Sequence, residues 1–358
     1  MKADSKVIMP TKTNVNILGR NHVNEDGSII FADTCAGIEF TTTAKSLSVA
    51  IYNLSTDKVS LEPWINVIID GYLEQRICLG AAASNNSNRF EICVFRDRQS
   101  SEPACVRILR ETQADFANND VTNLVSSGPV NNCIAIGEII YTPDSGAPCI
   151  YPTIHAPGRM LFIGDSITSG EGLNGPVSFN EFCSRMYGIM DNYTMAVANC
   201  RDMLFDVVSQ SGYGYYSGWN GDLKLAIPLV MRDENYSLAP SYSDVVINLG
   251  ANDFGGLNVD GKVPSDSAAK LHATAISFIN GLRSSYPDAS FYIASGMVGD
   301  AINPNIEAIA NELDLPFIAL EACHDVDYGS RQHPGPKTHA SAARRILDAI
   351  SLGQGGNN

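Results

Sequence analysis

Basic residues are scarce in this chain. Among 358 residues, Lys and Arg number 24 against 39 Asp and Glu, a formal charge of −15. Nucleic-acid phosphates are held by clustered Lys and Arg, so this balance argues against a nucleic-acid partner. Anionic membranes are disfavoured for the same reason, and no run of about 18 apolar residues is present to span a bilayer. Paired cysteines are lacking too. The nine cysteines are scattered, odd in number and without a C-x-x-C, a pattern that disfavours both a disulfide framework and a zinc site. The segment Met1-Lys2-Ala3-Asp4-Ser5-Lys6 has no apolar signal-peptide core. The expectation is a cytoplasmic protein, although a mature form with its leader removed would read the same way.

What is present is an ordinary globular composition, 44% hydrophobic, in a chain long enough for two domains. Its two parts differ in pattern. In residues 1–150, Leu47, Val49 and Ile51 alternate with Ser48, Ala50 and Tyr52, and Phe90, Ile92 and Val94 alternate with Glu91, Cys93 and Phe95. Period-2 patterns mark strands with one buried face. Strands are expected around 15–19, 28–32, 36–42, 46–53, 64–70, 72–79, 89–96 and 133–142, which suggests a two-sheet β-sandwich, most simply a jelly roll. Residues 151–159, with Pro152, Pro157 and Gly158, read as a linker.

In residues 160–358 the apolar runs are short and stop at turn residues. They are Met160–Ile163, Phe205–Val208, Asp244–Leu249, Ser290–Ala294 and Pro316–Leu320. Helical patterns at 267–283, 306–313 and 339–350 lie among them. Strands alternating with helices predict a parallel α/β sheet, whose reactive groups gather at the carboxyl ends of the strands.

Four features fall at such ends. Ser166 follows the first run in Gly164-Asp165-Ser166, and serine becomes a nucleophile when a base takes its proton. Alone, the tripeptide equally describes a helix N-cap, with Asp165 bracing the loop through backbone amides. Ser211-Gly212 closes the second run, and the amide of Gly212 could approach a substrate. Gly250-Ala251-Asn252-Asp253 closes the third, and the Asn252 side chain could donate to an oxyanion; an Asn-Asp turn is the plainer alternative. His333 lies in the loop before the last helix; a histidine is the easiest general base near neutral pH, while for any lone histidine a structural role is the plainer alternative.

Taken together and in this order, Ser166, Gly212, Asn252 and His333 resemble the SGNH, or GDSL, hydrolase superfamily. Phe162 to Thr168 together with Val246 to Phe254 look like carbohydrate esterase family 2, as do Gly19-Arg20, Asn66 to Gly71 and Phe90 to Arg96. The resemblance implies a flavodoxin-like three-layer α/β/α catalytic domain behind a jelly-roll domain. It implies Ser166 as nucleophile, His333 as base, and an oxyanion hole of the Ser166 and Gly212 amides with the Asn252 side chain. No metal or organic cofactor is implied. The substrates implied are acetylated xylan, glucomannan or their oligosaccharides, deacetylated by a serine esterase; a homo-oligomer stays open. A short-chain lipase or thioesterase of the same fold, and a non-catalytic glycan-binding protein, are the alternatives.

The sequence departs from that pattern near the base. The superfamily usually has an aspartate three residues before the histidine, and family 2 often has one two before it; here these are Ser330 and Arg331. Either His333 is oriented by a backbone carbonyl, as a dyad, or another acid such as Asp325 or Asp327 supplies a triad. The segment from about Asn174 to Asn192 looks like an insertion, and its Phe179, Phe182 and Tyr187 read as packing residues rather than a cleft edge. Trp219, after the Gly212 loop, is a candidate platform on which a sugar ring stacks.

Overall fold

The computed structural model describes residues 5–55, 62–80, 88–113, 132–144, 149–219, 238–324 and 326–355. They form two compact units, one of the described residues through His155 together with Leu238, the other of the remainder from Ala156 on.

The first unit is built of antiparallel strands. In chain order these are β1 (Lys6–Ile8), β2 (Asn16–Leu18), β3 (Asn21–Val23), β4 (Ile29–Phe31), β5 (Gly37–Thr42) and β6 (Ser46–Asn53). There follow β7 (Trp64–Ile69), β8 (Tyr72–Cys78), β9 (Arg89–Phe95), β10 (Ala104–Arg110), β11 (Ile134–Thr142) and β12 (Ile150–Tyr151). One sheet runs β3-β4-β11-β6-β9 with β1 on β11; the other runs β12-β5-β10-β7-β8 with β2 on β5. Alternate residues from both sheets, among them Val49, Ile51, Ile134 and Ile136 from the first and Ile38, Phe40, Val67 and Ile108 from the second, are buried in one cluster. The period-2 pattern is the cause: it gives each strand one apolar face, and the two faces have each other to cover.

Strand β10 was not among the expected strands, although its buried Ala104, Val106 and Ile108 alternate with the partly exposed Cys105 and Arg107. The structure accommodates the strand's charge inside. Arg110 is fully buried, its guanidinium donating to the carbonyls of Thr112, Gln113 and Asn132. Arg107 pairs with Glu39, which also meets His155. Burial would raise the Glu39 carboxyl, but His155 and Arg107 outweigh it and hold it down at about 2. Arg20 is likewise buried, donating to both oxygens of Asp33 at 2.7 and 2.8 Å.

The second unit has a parallel sheet of β13 (Arg159–Gly164), β14 (Leu204–Ser209), β15 (Asp244–Asn248), β16 (Ser290–Ser295) and β17 (Phe317–Ala319), in the order β14-β13-β15-β16-β17. The described helices are α1 (Ser166–Ser169), α2 (Tyr193–Arg201), α3 (Ala251–Leu257), α4 (Ser265–Ser285), α5 (Asn303–Glu312) and α6 (Pro336–Gly355). Helix α4 buries Leu271, Ala275, Phe278, Ile279 and Leu282, the stripe expected from 3.6-residue spacing. Helix α2 is shorter and buries Tyr193, Thr194, Val197 and Ala198; it is started by Asn192, whose side chain accepts from the Thr194 amide. The chain leaves β13 toward β14 on one side and returns to β15 on the other. That reversal makes the carboxyl ends of β13, β14 and β15 a crevice where ligands bind in open α/β sheets.

Candidate active site

Gly164, Ser209 and Asn248 are register partners across β14-β13-β15. The turns that follow therefore leave the sheet at one level, carrying Ser166, Gly212 and Asn252 to the same edge. Gly164 is required by close approach: a Cβ there would meet Thr168 Oγ1 at 1.9 Å and the Asn248 carbonyl oxygen at 2.9 Å. Asp165 caps α1, its Oδ1 accepting from the Ile167 amide at 3.0 Å. Its carboxyl is fully enclosed, and burial, with Asp253 and Glu171 near by, pushes it up to about 7. The side chain thus serves the loop, as the sequence suggested.

Ser166 Oγ lies 2.8 Å from His333 Nε2. On the other side of the ring, Nδ1 is 3.1 Å from the carbonyl oxygen of Arg331. A carbonyl only accepts, so the ring carries its proton on Nδ1 and offers the Nε2 lone pair to the serine hydroxyl, the arrangement a general base needs. Of the two orientations left open by sequence, this contact is the backbone-carbonyl one. Asp327 does not supply a triad: its carboxylate accepts from the amides of Lys337 and Thr338 and from the Thr338 hydroxyl, at the start of α6. Asp325 lies outside the described residues.

Three groups were expected to form an oxyanion hole. The Ser166 amide opens α1, where no intrahelical partner exists for it. The Gly212 amide, at the turn after β14, donates to no acceptor among the described residues. Asn252, buried at the start of α3, donates from Nδ2 to the Tyr213 carbonyl at 2.8 Å and to Asp165 Oδ2 at 3.2 Å. Asp253 next to it fixes the Gly212 loop from below, its carboxylate accepting from the amides of Tyr215, Tyr216 and Ser217 at 2.8–2.9 Å. Burial raises the Asp253 carboxyl, and those three amides pull against it.

The structure adds residues that the motifs did not indicate. Glu171, buried five residues after Ser166, pairs with Arg331. Its other oxygen accepts from the Ser211 hydroxyl and, at 3.2 Å, from the Tyr187 hydroxyl, and stands 3.9 Å from His333 Nε2. Tyr187 is therefore buried, as a packing residue should be, but its hydroxyl joins the site. Phe182 packs edge-on to Tyr187 and under the Arg331 guanidinium, 5.0 Å away. His339, in the first turn of α6, stacks on Tyr193 and accepts from its amide through Nδ1 at 3.2 Å. Burial drives its imidazole down to about 3, so it is a neutral structural group. Trp219 is 61% exposed, its ring resting on Gly255 and its amide donating to the Gly212 carbonyl. Among the described residues, no group of three or more His, Cys, Asp or Glu side chains is gathered as a metal ion would require.

No protein-family model matches the chain. The acetylxylan esterase/glucomannan deacetylase of Cellvibrio japonicus is 23% identical over 367 residues, covering 98% of this chain and 92% of that protein. Among solved structures, an acetyl xylan esterase from the rumen bacterium Butyrivibrio proteoclasticus matches with a TM-score of 0.83 at 22% identity, covering 99% of this chain and 100% of that one. A family two carbohydrate esterase from Clostridium thermocellum, in complex with cellohexaose, matches with a TM-score of 0.72 at 18% identity, covering 95% of this chain and 99% of that one. The fold is that of the family 2 carbohydrate esterases. The likeness to these esterases takes in both units, so neither is an addition peculiar to this chain.

Proposed function

We propose that the chain is a serine carbohydrate esterase, a carboxylic ester hydrolase that removes O-acetyl groups from plant polysaccharides or oligosaccharides. Acetylated xylan and glucomannan are the substrates that the name of the Cellvibrio protein suggests. The observation that carries this reading is the 2.8 Å contact of Ser166 Oγ with His333 Nε2 at the carboxyl edge of the sheet.

The chemistry follows from that contact. His333 takes the hydroxyl proton as Ser166 Oγ attacks the acetyl carbonyl carbon, and the carbonyl π pair moves onto oxygen. That oxyanion is met by the Ser166 and Gly212 amides and, once its bond to Asp165 is given up, by the Asn252 side chain. When the tetrahedral species collapses, the sugar oxygen leaves with the proton from His333. Water, deprotonated by His333 in turn, attacks the acetyl-enzyme; the acyl–Oγ bond then breaks, acetate leaves, and His333 returns the proton to Ser166 Oγ. With the proton on Nδ1 directed to the Arg331 carbonyl, the base works as a dyad. None of these steps calls for a metal or organic cofactor.

The finer fold assignment goes with this reading. The strand order β14-β13-β15-β16-β17 supports a flavodoxin-like second unit, and the shared core of the two antiparallel sheets supports a jelly-roll sandwich in the first. The test is acetate release from acetylated xylan and hydrolysis of 4-nitrophenyl acetate by the wild type and Ser166→Ala. A loss of about 10³-fold or more in kcat is expected; equal rates overturn the assignment. A rate that rises from acetyl to octanoyl esters would favour a lipase over a deacetylase.

A further inference from the structure

The loop that carries the base is held in a costly backbone conformation. Arg331 and Gln332 have φ of 55° and 57°, the left-handed region that residues with a Cβ avoid. This turn is what points the Arg331 carbonyl back at His333 Nδ1. Its backbone is tied at Ser330, whose amide donates to Gly172, and at Arg331, whose amide donates to Phe179. Its side-chain tie is the ion pair of Arg331 with Glu171.

Glu171 is placed to serve more than one loop. Its amide donates to the Ser166 carbonyl, joining it to the nucleophile turn. Its carboxylate accepts from Ser211, next to Gly212, and pairs with Arg331, two residues before His333. It does not hydrogen-bond the imidazole, 3.9 Å away. The carboxylate is buried and the arginine half-exposed, and removing the cation would leave a buried charge short of its main partner.

We propose that the Glu171–Arg331 ion pair is the positioning element of the base. It stands in for the orienting carboxylate that the residues before His333 do not provide, by holding the left-handed turn whose carbonyl orients Nδ1. Through Ser211 the same carboxylate sets the Gly212 turn against the nucleophile. The inference rests on Ser166 and His333 being nucleophile and base.

The test is 4-nitrophenyl acetate kinetics on the full chain for Glu171→Gln, Arg331→Met, both together, and Arg331→Lys, with Ser166→Ala in parallel and folding followed by circular dichroism. Misplaced catalytic groups cost rate rather than affinity, so each single change lowers kcat by about 10–10²-fold while KM moves by less than about 3-fold. Because the two residues act as one unit, the double variant is no slower than the slower single. Arg331→Lys, which keeps the cation, recovers most of kcat. A folded Arg331→Met within about 2-fold of wild-type kcat overturns the inference, as do losses that multiply in the double variant. If Glu171→Gln does not fold, the contrast between Arg331→Met and Arg331→Lys decides alone: equal kcat for the two overturns the inference. Ser166→Ala at the wild-type rate would remove the catalytic reading itself, whereas an inactive Ser166→Ala beside a fully active Arg331→Met removes only the role of the ion pair.

Discussion

Gly172 and His333 are packed so closely that one added carbon would displace the imidazole. A Cβ on Gly172 would lie 2.7 Å from His333 Cβ and 2.5 Å from the Ser330 carbonyl oxygen, at a φ of +83°. Gly172→Ala should therefore push the His333 loop off Ser166. The expected outcome is a fall in kcat of about 10²-fold, with about 1–3 kcal/mol of stability lost to backbone strain. Steady-state kinetics and urea unfolding check both, and a wild-type kcat in the alanine variant would show that the loop yields without moving the imidazole.

Asp165 gives the fold a pH dependence of known sign. Its carboxyl sits at about 7 in the folded protein against an ordinary 3.8, burial being the largest cause. Below about pH 4 both states hold the proton. Between about 4 and 7 the unfolded chain has released it while the folded chain still binds it, so stability falls as pH rises. Above 7 the loss is complete and constant. Asp165→Asn keeps an oxygen for the Ile167 amide and removes the titration. Its stability relative to wild type should improve steadily from pH 4 to 7 and then level off, measured by urea midpoints. Parallel curves for the two proteins would place the Asp165 carboxyl near its ordinary value.

The same residue shows how much of the site the sequence could reveal. A capping aspartate before a serine at a strand end is a local pattern, and local patterns were legible: the strands around Leu47, Phe90 and Phe162, the long helix α4, and the positions of Ser166, Asn252 and His333. Glu171 was not legible, because its partners Ser211 and Arg331 are 40 and 160 residues away and no spacing rule joins them. Strand β10 and helix α2 escaped for another reason. Arg110 at the end of β10 is satisfied by three carbonyls, and Tyr193 at the start of α2 meets Thr168 and His339; without these contacts in view, polar residues in short elements read as turn or surface positions.

His339 opposes Asp165 in its effect on stability. Burial drives its imidazole down to about 3 from an ordinary 6.5, and Nε2 has no hydrogen-bond partner among the described residues. As pH falls below 6.5 the unfolded chain takes up a proton that the folded chain refuses, so stability declines until about pH 3 and is unaffected by this group below that. His339→Gln removes the titration. The wild type should lose more stability than the variant between pH 7 and pH 4 by equilibrium unfolding, and an identical loss in the two would mean that the buried ring accepts the proton after all.

Trp219 separates carbohydrate recognition from ester chemistry. The ring is open to solvent and lies flat enough on α3 that a Cβ at Gly255 would meet it at 2.3 Å. Its amide donates to the carbonyl of Gly212, which sets it beside the Gly212 turn. An aromatic face so placed can stack on a sugar ring, a contact worth about 1 kcal/mol, whereas 4-nitrophenyl acetate presents no sugar to stack. Trp219→Ala should thus lose about 5-fold more kcat/KM on acetylated xylo-oligosaccharides than on 4-nitrophenyl acetate, with the difference expressed in KM. Equal losses on both substrates would assign the ring to propping the Gly212 loop, because a displaced oxyanion donor slows every ester alike.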